Sequence, residues 1–208
     1  MKPTIQEQTR SQQSDKRKQI LSIATKIFFR EGYGRASMDK VHSELGGSKR
    51  TLYNYFPSKE ALFEAIVTQV SDQVLTALRP PLGDADLRTT LVKMGNDYLG
   101  VLLSPVGISL YRAMVSEAPH FPELAHTFFE NGPSRSSHHL AAFFRDQNAQ
   151  GLIEVSDPQI AAEHFLGAVR GDIHLAAVLT AKRPSKQMVE AAVAQTVRTF
   201  LDGVNPKL

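Results

Sequence analysis

The 208-residue sequence predicts an all-α fold of about nine or ten helices. Three observations carry that expectation. Apolar residues return at helical intervals, first in Ile20, Ile23, Ile27 and Phe28 and then in Leu62, Ile66, Val70, Val74 and Leu78. No stretch alternates apolar and polar residues over strand length. Turn-forming residues fall between the periodic segments.

The elements follow in order. A polar arm over residues 1–15 precedes a first helix, capped by Asp15 and running to about Glu31, where Gly32-Tyr33-Gly34 stops it. Ser37 opens a second helix, ended by Gly46-Gly47, and Ser48 opens a short third, stopped before Pro57. Ser58 starts a long fourth that reaches Arg79, where Pro80-Pro81 end it. Asp84 begins a fifth, and Ser104-Pro105 has the form of a cap followed by a first-turn proline. Pro119 and Pro122 bracket a break, and Gly132-Pro133 makes another. Asp157-Pro158 starts a long helix to about Ala181, and Ser185 starts the last, which ends near Gly203.

Composition places the chain among ordinary globular proteins, with 42% hydrophobic and 22% charged residues. It has no cysteine, which excludes disulfides, thiolate metal sites and cysteine nucleophiles. The polar start lacks the apolar stretch of a secretory signal and no run reaches membrane-span length, so a cytoplasmic protein without a membrane partner is expected. Charge is uneven: residues 1–62 hold 12 Lys/Arg against 6 Asp/Glu, whereas the remainder holds 12 against 15. A basic head on a mildly acidic body suits one end meeting a polyanion.

Residues 37–63, SMDKVHSELGGSKRTLYNYFPSKEALF, have the layout of a helix-turn-helix unit, whose second helix enters the DNA major groove. Val41, Leu45 and Leu52 fall where the two helices face each other, and Phe56 and Phe63 continue that core. Ser48, Lys49, Arg50 and Thr51 open the second helix with groups able to bond phosphate or base edges. Tyr53 and Tyr55 flank Asn54, and their hydroxyls can reach phosphate. Lys59 stands in the first turn of the next helix, where a cation is unfavourable for the helix alone and easier to understand if a phosphate arrives there. In the arm, Lys2, Arg10, Lys16, Arg17 and Lys18 would permit contact with the minor groove.

The string FFREGYGRAS followed by MDKVHSELGGSKRTLYNYFPSKEALFEAIV resembles the TetR/AcrR family of one-component transcriptional regulators. The later segments LYRAMVSEAPHFPELAHTFFENGP and GLIEVSDPQIAAEHFLGAVRGDIH resemble the C-terminal body of its AefR-like branch. The resemblance implies a helix-turn-helix DNA-binding domain over residues 16–62 and a helical effector-binding and dimerisation domain over residues 63–208. It also implies a homodimer on a double-stranded DNA operator, released by a small hydrophobic effector, with no cofactor. Carried onto this sequence, it sets Ser37 and Lys49 to Thr51 against the groove, and Tyr53, Asn54 and Lys59 against the backbone. Two positions depart from the family pattern. His42 replaces the usual alanine and is expected to crowd or re-aim the scaffold helix; Gly47 replaces a branched apolar residue and is expected to loosen the turn. Arg50, where glycine is common, offers a guanidinium that would read guanine bidentately or lie along a phosphate.

Two recognition helices need two copies. The helix after Pro158 is expected to form the dimer interface through Ala161, Gly167, Gly171 and Val178, because small residues let a partner helix approach. Aromatic side chains of the body form either core or cavity wall. The expected wall is Tyr98, Tyr111, Met114, Phe128, Phe144, His164 and Phe165. Six of seven histidines lie between residues 120 and 174, but none has helix-site ligand spacing, so no metal is expected. There is no nucleophile elbow, phosphate-loop lysine or H-E-x-x-H motif, so the chain is not expected to be an enzyme. A helical adaptor that binds protein in place of specific DNA is the alternative, and the basic head argues against it.

Overall fold

The computed structural model describes residues 5–83, 85–180 and 182–204. Among them are ten α-helices and one π segment: α1 (Ile5–Glu31), α2 (Met38–Leu45), α3 (Lys49–Tyr55), α4 (Lys59–Ala77), α5 (Leu87–Leu102), α6 (Pro105–Glu117), α7 (Pro122–Phe129), the π segment Glu130–Ser134, α8 (Arg135–Ala149), α9 (Pro158–Thr180) and α10 (Lys186–Val204). No strand occurs among the described residues, so the chain is all-α as expected. No single helix among them is long and apolar enough to cross a membrane.

Local chemistry sets most of the boundaries. The hydroxyls of Ser37, Ser58, Ser104 and Ser185 accept from the backbone N–H groups of Lys40, Ala61, Gly107 and Met188 at 3.0–3.3 Å. The Asp157 carboxylate likewise accepts from Gln159 N at 2.8 Å. Each gives a partner to a first-turn donor that the helix itself leaves unpaired. At the other ends Gly32 (φ 81°) follows α1 and Gly46 (φ 68°) follows α2, in the left-handed region that only glycine adopts freely.

Four boundaries differ from expectation. α1 starts at Ile5, not at Asp15, so the predicted arm is helical from Ile5 onward. Residues 5–18 contain neither glycine nor proline and are rich in Gln, Lys and Arg, so nothing local interrupts the helix across them. Asp84 lies outside the described residues; the observed cap of α5 is Asp86, whose carboxylate accepts from Thr89 N at 2.8 Å. Gly132-Pro133 does not break the chain. Proline lacks an N–H and its ring collides with a carbonyl four residues back, and the wider π turn relieves both problems. Finally, α9 is not continuous: Gly171 sits at φ 42°, ψ −156°, which divides the helix. The expected end of that helix, Ala181, lies outside the described residues.

Two cores result. The head core joins Ile20, Ile27 and Phe28 of α1 with Val41, Leu45, Leu52, Phe56 and Phe63, and is completed by Leu110, Met114 and Leu124 from α6 and α7. The body core packs α5, α8, α9 and α10 around Met94, Phe144, Phe165 and Val193. Phe144 and Phe200 stack there at 5.3 Å between centroids, and Phe165 meets both edge-on at 5.9 and 5.1 Å. Burying each fully enclosed phenylalanine contributes about 1.5–3 kcal/mol. α4 runs from the first core, at Phe63, into the second, at Val74. The head is therefore bound to the body through α4 and α6 together.

Candidate functional site

At the tip of the head, α2 and α3 are joined by Gly46 and Gly47, both at positive φ. The two departures from the family pattern act as a pair. His42 Nε2–H donates to the Gly47 carbonyl at 3.1 Å, so the imidazole ties down the turn that the glycine frees. It does not crowd α2, because the ring lies along the turn and not in the core, where Val41 and Leu45 are buried. Beyond the turn Ser48, just before α3, and Lys49, Arg50, Tyr53 and Asn54 on it are exposed, Thr51 is half-buried and Leu52 is fully buried. Seven residues of helix therefore present a polar face held by one apolar anchor.

The cations of the head are unequally engaged. Lys49 Nζ lies 2.6 Å from Asp39, whose carboxyl is held below its usual range by that hydrogen bond first and by the charge second. Arg30 pairs with Glu44 at 2.8 Å and Lys40 with Glu31 at 2.5 Å. Arg50 has no ion pair among the described residues. Ser37 is half-buried, its hydroxyl spent on capping α2.

Lys59 is placed differently from expectation. Its ammonium donates to the Tyr33 carbonyl at 3.1 Å and stands 4.2 Å from the centroid of the Tyr33 ring and 6.0 Å from that of Phe121. The carbonyl and the two π faces supply the compensation that a cation at a helix start requires, without a phosphate. Tyr33 is buried, and its hydroxyl donates to Glu60 Oε1 at 3.0 Å. Burial, then the Glu60 carboxylate, pushes its phenol well above the ordinary value. Phe121, at the α6–α7 corner, meets the Tyr33 ring edge-on at 5.1 Å. Gly34 N–H points to Glu117 at the end of α6, 3.4 Å away. The α1–α2 corner of the head is thus gripped by the far end of α6.

The near end of α6 borders a cavity of about 60 Å³, enclosed with α4, α5, α7, the π segment and α9. Tyr98, Tyr111 and Phe128 line it, together with Arg170 and His174. His174 is buried edge-on against Tyr111, 5.0 Å between centroids. Burial first, and the Arg170 charge second, lower its pKa and keep the imidazole neutral at neutral pH. The Tyr98 phenol is pushed up to about 12, chiefly by burial. Beside the π segment lies an open depression of about 280 Å³, and it shares Tyr98, Pro133 and Arg170 with the inner cavity. From the next turn of α6, Arg112 donates to the carbonyls of Ala177 and Val178 near the end of α9.

Residues 20–66 match the family model for bacterial regulatory proteins of the tetR family, and residues 89–203 match that for the AefR-like transcriptional repressor C-terminal domain. The chain belongs to the TetR family. A TetR-family regulator from Mesorhizobium loti superposes with a TM-score of 0.80 at 28% identity, over 93% of this chain and 98% of that one. The flavonoid-responsive regulator FrrA is 31% identical, covers 94% of this chain and all of its own, and has a TM-score of 0.79. The regulator UidR of Escherichia coli K12 is 39% identical over 66 residues, 32% of this chain. The chain spans only 34% of UidR, about a third of that relative's length. The protein is therefore a helix-turn-helix DNA-binding transcriptional regulator, of a family of regulators and not of enzymes.

Within this TetR-family frame several expected positions move. Met114 packs in the head core, and Phe144 and Phe165 in the body core, and none of the three is among the residues that line the cavity. His164 is exposed, turned away from the cavity toward the α9–α10 flank. Ala161 and Val178 are buried within the subunit, so they are not on a free interface face. Gly167 and Gly171 are open, with nothing within 4 Å of where a Cβ would stand. The exposed apolar residues of these helices are instead Ile160, Leu175, Leu179 and Met188. Arg170 and His174 escaped sequence reading. For Arg170 the available signal was its i, i+4 spacing from Leu166 and Ala162 before the break at Gly171; His174 lies beyond that break and had no such signal.

Proposed function

We propose that this regulator is a repressor that binds a palindromic operator as a homodimer and is released when a small hydrophobic molecule occupies the cavity beside α6. The observation that carries this reading is the reach of α6: Tyr111 lines the cavity at one end, and Glu117 touches the head at the other. A ligand that favours one position of α6 thereby favours one position of the head. Its leverage equals its differential affinity for the two states, about 1–3 kcal/mol in typical couplings. Ser48, Lys49, Arg50, Thr51, Tyr53 and Asn54 form the groove-facing set, and Arg50, free of ion pairs among the described residues, is the base-reading candidate. Lys59 serves as an internal tether.

A dimer supplies two such heads for half-sites about 34–36 Å apart. Ile160, Leu175 and Leu179 on α9 and Met188 on α10 form an exposed apolar strip suited to a second copy, with Gly167 and Gly171 permitting close approach. That a relative similar over its full length is named for response to flavonoids supports a small-molecule effector here. Fluorescence anisotropy with the intergenic DNA upstream of the gene, against random duplex at matched salt, tests the reading. Equal affinity for the two would overturn it. Sedimentation equilibrium tests the dimer.

A further inference from the structure

The chemistry of the cavity narrows the class of ligand. This step rests on the effector role proposed for the cavity and goes beyond it. Most of the lining is aliphatic or aromatic, yet Arg170 projects into it and is the only formally charged residue there. Among the described residues Arg170 makes no ion pair. The carboxylate beside it in the outer depression, Glu163, is hydrogen-bonded by Gln159 at 2.8 Å. Arg170 is half-buried and lines both the inner cavity and the open depression beside it, so its guanidinium is a ready partner for an anion lodged between them.

Size points the same way. The inner cavity of about 60 Å³ holds only a few waters, whereas sites for organic ligands usually span roughly 300–1,000 Å³. The outer depression of about 280 Å³ shares Tyr98, Pro133 and Arg170 with it. A guest of ordinary ligand size that extends from one into the other lies against the guanidinium. Tyr98, Tyr111 and Phe128 offer it ring surfaces on the inner side. We infer that the site takes a planar aromatic molecule bearing an ionised oxygen, which pairs with Arg170 while the ring system lies beside Tyr111 and Phe128. His174, neutral and edge-on to Tyr111, is left to exchange one hydrogen bond with a polar substituent deeper in the cavity.

The test uses 2-naphthoate and 2-naphthamide, which share ring and shape but differ in charge, with 1-decanol as a neutral aliphatic probe. Binding is read by thermal shift on the full chain and by release of operator DNA. The wild type is expected to bind naphthoate about tenfold more tightly than the amide. Arg170→Gln should abolish that preference, and Arg170→Lys should restore part of it. Should Arg170→Gln fail to fold, the Arg170→Lys variant and the wild-type charge preference still decide. Equal binding of the two probes, binding of neither, or a preference that survives in Arg170→Gln overturns the inference. Release of DNA by decanol but not by naphthoate would discard the ligand class and leave the effector-released regulator standing. Operator binding no better than random duplex would discard the repressor reading, while the thermal shifts would still decide the ligand class.

Discussion

Three helical glycines give a graded test of packing. Gly95 and Gly100 of α5 and Gly107 of α6 all have ordinary right-handed backbone, so alanine gains the same helix propensity at each, about 0.8–1 kcal/mol. Only the space differs. A Cβ on Gly100 meets nothing within 4 Å, so Gly100→Ala should keep the gain and raise Tm by about 1–4 °C for a chain of this length. A Cβ on Gly95 would stand 2.7 Å from Val193 Cγ1 and 3.6 Å from Val169 Cγ2, which α10 must yield to accommodate. Overpacking of that kind costs about 1–3 kcal/mol, and a net fall of a few degrees follows. At Gly107 the obstacles are the Val101 and Leu102 carbonyl oxygens, at 2.5 and 2.6 Å. These are backbone atoms, and no rotamer relieves them. The α5–α6 corner must open, for a net loss of about 2 kcal/mol or more and a Tm lower by about 4–8 °C. Thermal melts by circular dichroism at one fixed protein concentration decide the matter, since a dimer's Tm depends on concentration. A Gly107→Ala variant that melts at or above wild type would refute the reasoning.

Four further perturbations test other contacts. Asp39→Asn removes the carboxylate that holds Lys49, so affinity for any duplex should rise in anisotropy titrations, whereas Lys49→Ala should flatten the slope of log affinity against log salt by about 0.9; an unaltered slope would remove Lys49 from the interface. His42→Ala should lose the bond to Gly47 and about 0.5–1.5 kcal/mol of stability, read as a lower urea midpoint, and a midpoint equal to wild type would mean the turn needs no tie. His174 and His139 both have pKa values lowered mainly by burial, so as pH falls the unfolded chain takes up their protons first. Stability is then complete above about pH 6.5 and declines as pH drops from there toward the lower folded values. Tm should fall across that window, and fall less when both are glutamine; a larger fall in that variant would reverse the sign.

The head was legible because its signals are local. Caps at Ser37 and Ser58 depend on a hydroxyl three residues before a free N–H, and Val41, Leu45 and Leu52 follow from periodicity alone. The body was legible only as helices. Which aromatic faces a void and which faces a neighbouring helix depends on how helices far apart in sequence pack, so Tyr98 and Phe144 look alike until α9 and α10 are in place. Small residues four apart suggested a face for a second copy, yet Ala161 and Val178 turn inward within the subunit. Arg170, half-buried, comes to line a void only through the tertiary arrangement.

The division of α9 at Gly171 means that this helix does not behave as one rigid strut. Its first half is fastened to α8, where Gln159 donates to Ser137 at 2.9 Å, whereas its second half hangs from α6 by the two bonds of Arg112. A displacement of α6 would therefore act first on the half after Gly171, which carries the exposed Leu175 and Leu179. If copies are joined there, each subunit's occupancy is delivered straight to its neighbour's door, and the paired heads respond in concert rather than one at a time.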